Sequence, residues 1–130
     1  MKIEIGAVAE AKRIFTAELV ENYAKLTGDY NPVHFDDKFA QHTIFRKPIV
    51  HGPLVLTLIT TLFANKLPGA GSVYLSHDLK FVAPVYHNDE VTAYLKIIEI
   101  TSKNHCIIET KAYNQDGIIV IEGIARIKVF

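Results

Sequence analysis

Between Tyr23 and Pro53 the chain gathers the residues best suited to proton transfer. Asp29 and His34 stand on either side of Asn31-Pro32. Pro32 fixes its own φ and pushes Asn31 toward extended geometry, so the turn is stiff. A carboxylate and an imidazole held about such a turn can both reach one water molecule, which is what an acid–base pair needs. Asn31 is placed to bond nearby backbone. Taken singly, Asp29 also reads as a helix-end residue and His34 as a satisfied polar side chain. Gly52 and Pro53 then open a long apolar segment. The N–H of Gly52 falls at a helix N-terminus, where free donors and the dipole both favour negative charge. Pro53 has no N–H to add. Gly52 equally serves to ease a sharp entry from loop to helix. His51, just before it, shapes that entry, and a structural role is its stronger reading.

The elements that must position these groups follow from patterning. Val8 to Phe15 reads as an edge-like strand. Thr16 is an N-cap with Glu18 in the first turn. Leu19, Tyr23 and Leu26 recur at helical spacing, and Gly28 is the C-cap, so a short helix stops just before Asp29. Asp36 or Asp37 caps a brief helical turn through Phe39 and Ala40. Phe45 to Val50 is a loop. Leu54 to Ala64 is too long for a buried strand, and proline at the first helical position agrees with a helix. A helix apolar on most faces must be wrapped. Four strands supply the wrapper: Ser72 to Val82, Glu90 to Ile100, His105 to Asn114 and Ile118 to Val129. Val73, Leu75, Leu79 and Phe81 alternate in the first, as do Val91, Ala93, Leu95 and Ile97 in the second, which marks a sheet with one face on a core. The expected class is α+β: one long central helix in a curled antiparallel sheet of about five strands, as a single domain over residues 1–130.

Composition narrows the function. Lys and Arg number 14 and Asp and Glu number 14, so the balance gives no nucleic-acid footprint. No apolar run reaches membrane-spanning length, and the start M-K-I-E-I-G has no signal-peptide core. Cys106 is the sole cysteine, so no intrachain disulfide forms and cytoplasm is the expected compartment. It reads as an inert core residue. Of the six histidines, His42, His51, His77, His87 and His105 show no H-x-x-x-H spacing, and no metal is expected.

Several motifs together resemble one family. T-G-D-Y-N-P-V-H at Thr27 to His34, R-K-P-I-V-H-G at Arg46 to Gly52, L-P-G-A-G-S-V-Y at Leu67 to Tyr74 and F-V-A-P-V-Y-H-N-D-E-V at Phe81 to Val91 are similar to landmarks of the MaoC-like R-specific enoyl-CoA hydratases. The resemblance runs over nearly the whole chain. It implies the hot-dog fold, usually paired into a homodimer, and reversible syn addition of water to a 2-enoyl-CoA giving an R-3-hydroxyacyl-CoA. It implies Asp29 and His34 as the catalytic pair, Gly52 as the donor to the thioester oxygen, and no cofactor. Thr60 falls where relatives often carry a serine on the central helix. Its substrate-side role stands level with a hydroxyl bonded back to its own helix. Asn31 and His51 are the other substrate-side candidates. Phe39, Leu54, Leu58 and Tyr74 read either as acyl-pocket lining or as core, and Arg46 and Lys47 either as contacts to CoA phosphates or as plain surface charges.

Three other readings compete. A dehydratase subunit acting on R-3-hydroxyacyl groups of an acyl-carrier protein would favour a basic rim. A thioester hydrolase would need a carboxylate on the central helix, and Leu54 to Asn65 has none. A non-catalytic acyl-CoA-binding domain would have no need of the Asp29 and His34 pair.

Overall fold

The computed structural model describes residues 3–130. The chain runs β1 (Val8–Ile14), α1 (Ala17–Thr27), a 3₁₀ turn (Pro32–His34), α2 (Asp37–Gln41), α3 (Gly52–Asn65), β2 (Val73–Phe81), β3 (Glu90–Ile100), β4 (His105–Tyr113) and β5 (Ile119–Lys128). The strands form one antiparallel sheet in the order β1-β3-β4-β5-β2. This is the helix-in-sheet arrangement expected from the patterning and the hot-dog fold that the resemblance implies, with β1 and β2 left as edges.

The expected caps are in place. Thr16 accepts from the Leu19 N–H at 3.2 Å. Gly28 takes φ 81°, a left-handed conformation that suits glycine, and its N–H bonds the Ala24 carbonyl. The second helix is capped by Asp36 rather than Asp37, with Oδ1 accepting from Lys38 and Phe39.

α3 buries Leu54, Val55, Leu58, Ile59, Leu62 and Phe63, the i, i+3, i+4 stripe of one face. That stripe packs on the inner sheet face, where Val91, Ala93, Leu95 and Ile97 of β3 and Ile108 and Ala112 of β4 are buried. Truncating one such leucine to alanine costs about 2–5 kcal/mol. The wrapping is incomplete. Thr57 and Thr60 are half-buried, and Thr61 and Ala64 are exposed.

β2 departs from the expected alternation. Val73, Leu75 and Phe81 are exposed, and only Leu79 is half-buried. Two causes combine. β2 is an edge, and its pairing with β5 slips between Tyr74 and Ser76, leaving Leu75 as a bulged residue. Tyr74 pairs with buried Ile127 and His77 with buried Ala125, so both face inward although they are three residues apart. There the Tyr74 hydroxyl lies 2.6 Å from His77 Nδ1, and His77 Nε2 lies 2.8 Å from Thr110 Oγ1. Thr110 donates onward to the Gly123 carbonyl, which makes His77 Nε2 the donor and Nδ1 the acceptor. β2 lies flush on β5 because Gly123 has no side chain; a Cβ there would sit 2.7 Å from the Leu79 Cα. No helix among the described residues is long and apolar enough to cross a membrane.

Candidate active site

The stop of α1 at Gly28 delivers Asp29 into an exposed loop. The loop is knitted by short polar contacts. Thr27 Oγ1 accepts from the Asp29 N–H at 3.2 Å, Asp29 Oδ1 accepts from the Asn31 N–H at 3.2 Å, and Asn31 Oδ1 accepts from Val33 at 3.2 Å. Asn31 thus bonds backbone, as its place beside Pro32 implies. The 3₁₀ turn then carries His34 inward to 9% exposure.

His34 Nδ1 lies 2.8 Å from the Ile49 carbonyl. A carbonyl only accepts, so Nδ1 carries the proton and Nε2 is left with the lone pair of a base. Burial pushes the His34 pKa below its ordinary value of 6.5. The Ile49 bond and the Asp29 carboxylate oppose that shift, and His51 and His87 reinforce it. An imidazole held this way is unprotonated at neutral pH and ready to accept.

Asp29, His34 and His51 each bring a ligand-type atom within 4.8 Å of the other two. The histidines are therefore less scattered than their spacing implied, because the 3₁₀ turn and the start of α3 meet in space. The geometry favours a proton-transfer site over a metal site. The His34 and His51 rings stack at 3.8 Å with 30° between planes. Stacked imidazoles send their in-plane lone pairs side by side instead of to one point. His51 Nε2, moreover, is already bonded to the Asp29 carbonyl at 3.1 Å.

α3 begins at Gly52, and no side chain caps it. The Gly52 N–H is thus presented at a helix end without a side-chain acceptor, as an anion donor requires. The Phe81 ring covers this glycine, and a Cβ at residue 52 would meet Phe81 Cε1 at 2.9 Å. Beside Gly52 opens an apolar cleft of about 370 Å³, walled by Ile49, Val50, Pro53, Val55, Phe81 and the 82–85 segment among others. The cleft shares Gly52 with the site, while Asp29 and His34 lie outside its walls.

A model of the MaoC like domain matches residues 2–117. The chain belongs to the MaoC-like family. It is 38% identical to the (R)-specific enoyl-CoA hydratase of Aeromonas caviae over 98% of this chain and 96% of that one. It is 39% identical to a mitochondrial 3-hydroxyacyl-[acyl-carrier-protein] dehydratase of Solanum lycopersicum, over 93% of this chain and 74% of that one. The solved structure of the A. caviae (R)-hydratase superposes with a TM-score of 0.93 at 37% identity, covering 98% of both chains.

Not every residue named from the MaoC-like pattern gathers here. Thr60 Oγ1 donates to the Thr57 carbonyl at 3.3 Å, the back-bonded arrangement, and the residue is half-buried beside exposed Thr61. Of the residues read either as acyl-pocket lining or as core, two are core. Leu54 and Leu58 point into the sheet at 8% and 3% exposure, Phe39 is exposed on α2, and Tyr74 is tied to His77. None of the four lines the cleft. Arg46 adopts φ 68°, and Lys47 holds its Nζ 4.5 Å above the Tyr86 ring. Sequence reasoning missed the Ile49 carbonyl, Phe81 and His87, whose Nε2 donates to the His34 carbonyl at 3.1 Å. A backbone acceptor leaves no trace in residue types. His87 could have been noticed only as a histidine beside the Asn88-Asp89 turn.

Proposed function

We propose that this chain is an R-specific enoyl-CoA hydratase, adding water reversibly to a 2-enoyl-CoA to give an R-3-hydroxyacyl-CoA. The observation that carries the reading is the meeting of Asp29 and an Nδ1-protonated His34 with His51, the residue just before an uncapped Gly52 at the start of a helix. The 38% identity to the A. caviae enzyme along nearly its full length supports it.

Asp29 and His34 hold one water. As its oxygen bonds C3, the pair takes one of its protons, and electron density moves through C2 onto the thioester oxygen. The Gly52 N–H and the α3 dipole stabilise that oxyanion. The pair then returns a proton to C2, so the site ends in its starting charge state. Both additions come from the one side of the alkene that faces the pair, which is syn addition. The acyl end occupies the apolar cleft beside Gly52, and Arg46 and Lys47, between the lining residues Phe45 and Ile49, meet CoA phosphates. The chemistry calls for no cofactor.

The working unit is a homodimer. The edge strand β2 with Val73, Leu75 and Phe81 exposed, followed by exposed Val82 and taken with exposed Thr61 and Ala64 of α3, is a surface that a second copy would cover. The cytoplasm is the compartment that fits acyl-CoA substrates and a lone buried thiol.

The test is hydration of crotonyl-CoA, followed by loss of its conjugated absorbance, with an R-specific dehydrogenase reading product chirality. Activity giving the R product is expected. An S product, or no turnover by folded protein, would end the reading. The plant-type dehydratase identity makes a crotonyl-acyl-carrier-protein arm worthwhile; a preference for it by tenfold or more in kcat/KM would move the assignment to a dehydratase.

A further inference from the structure

His51 is 1% exposed, yet its Nδ1 has no hydrogen-bond partner among the described residues. Nε2 donates to the Asp29 carbonyl, so in the neutral ring Nδ1 carries an unmatched lone pair. Leaving a buried polar atom unmatched is destabilising. The Nε2–H bond to the Asp29 carbonyl, which an apolar ring would forgo, offsets part of that cost.

The ring's surroundings bear on its role. The ring meets Tyr23, with centroids 4.6 Å apart and planes tilted by 51°, and stacks on His34 at 3.8 Å. Phe35 meets its edge at 5.9 Å. Among the described residues the His34 ring has one side-chain hydrogen bond, Nδ1–H to Ile49, and an edge contact with Phe35 at 6.4 Å. The His51 face supplies a further constraint and so aims Nε2. The Nε2–H bond of His51 meanwhile anchors the main chain of Asp29 across a separation of 22 residues. The next residue along the chain is Gly52.

We infer that His51 is a positioning residue: through its bond to the Asp29 carbonyl, its stack on His34 and its peptide link to Gly52, it holds all three groups of the hydration site in register. The inference rests on the hydratase reading. Its readout is the acid limb of the pH profile, which His34 sets. The groups facing that imidazole are Asp29 from the loop after α1, His51 from the start of α3 and His87 from the loop between β2 and β3, with Tyr23 of α1 behind His51. His51 is among the groups that hold His34 protonation down, so its loss moves the limb to higher pH.

Wild type, His51→Ala, His51→Gln, Asp29→Asn and His34→Gln are assayed with crotonyl-CoA from pH 5 to 9, with melting temperatures alongside. In His51→Ala, kcat should fall ~10²-fold with KM within about threefold, the size expected for a misaligned reacting group. Glutamine keeps an N–H for the Asp29 carbonyl and should recover about tenfold of that loss. Both variants should move the acid limb upward. An unmoved limb, with losses that track only melting temperature, would overturn the positioning role. Full activity in Asp29→Asn and His34→Gln would instead remove the catalytic pair itself. If the His51 variants do not fold, nitrogen-resolved NMR of wild type decides. His51 should carry its proton on Nε2 and His34 on Nδ1; the opposite tautomers would refute the arrangement.

Discussion

Gly52→Ala separates the site from the fold more cleanly than any other single change. The added methyl would lie 2.9 Å from Phe81 Cε1 and 3.0 Å from Cδ1. Carbon contacts ordinarily settle near 3.5 Å or beyond, so the ring must retreat by roughly 0.6 Å. Phe81 belongs to an edge strand and is 53% exposed, which leaves it room to do so. The cost to the fold is therefore at the low end of overpacking, about 1 kcal/mol, or about 3–5 °C in melting temperature. The cost to the reaction is larger. On the proposed mechanism the thioester oxygen approaches the residue 52 N–H, and a methyl on that residue, with the ring it pushes aside, would displace it; a misplacement of about 1 Å at a reacting centre is worth ~10² in rate. That corresponds to ~2.7 kcal/mol of transition-state stabilisation. Crotonyl-CoA hydration gives kcat/KM, and circular dichroism gives the melt. A folded Gly52→Ala protein with wild-type kcat/KM would refute the claim that substrate oxygen meets this amide. Phe81→Ala placed in the Gly52→Ala background relieves the ring contact and should restore the melt but not the rate. Restored rate would show that ring displacement, not blockage at residue 52, caused the loss.

Other outcomes follow from the same geometry. Asp29→Asn and His34→Gln should each lower kcat by ~10²–10⁴ with the fold retained, and equal rates to wild type would dismiss the pair. The acid limb of kcat/KM should lie below the ordinary imidazole value of 6.5, because the base must be unprotonated and burial lowers the His34 pKa; a limb above it contradicts the buried setting. The same depression makes the folded state's gain from neutral His34 complete above the unfolded value and lost as pH falls through the lowered one, so denaturant midpoints should drop in that weakly acidic window, and less so in His34→Gln. Leu75→Glu should leave the fold intact but give a monomer by light scattering, since this bulged edge residue is 47% exposed; an unchanged dimer would place the contact elsewhere. Leu58→Ala, at 3% exposure under the sheet, should cost about 2–5 kcal/mol in chemical denaturation.

Much of this was legible in the residue types because the signals are local. Thr16 and Gly28 cap α1 by contacts within four residues, and the Asp29-to-His34 turn is built from neighbours. The hairpins fall at Lys103-Asn104 and Gln115-Asp116-Gly117 as turn chemistry dictates, with Asn104 at φ 61° and Gly117 at φ 75°. What was not legible depends on long-range pairing. The slip at Leu75 reverses the phase of half of β2, and only the partner strand reveals it. His34 finds its acceptor 15 residues away on a backbone carbonyl, and His51 finds Asp29 22 residues away. The cleft is walled by the 82–85 segment, an irregular stretch whose residues look like ordinary loop and core. Leu54 and Leu58 read equally as lining or as core because an almost wholly apolar helix does not announce which face meets the sheet.

The bare backbone of Gly123 has a consequence for how the molecule assembles. It lets the outermost plank of the sheet sit tight against its neighbour, with the Leu79 Cα where any side chain would have to go. A single methyl at that point acts as a wedge. It would lift the plank that carries Phe81 over Gly52 at one end and Tyr74 at the other, so an alteration at one half-buried glycine would loosen both the roof of the cleft and the apolar outer edge of the molecule.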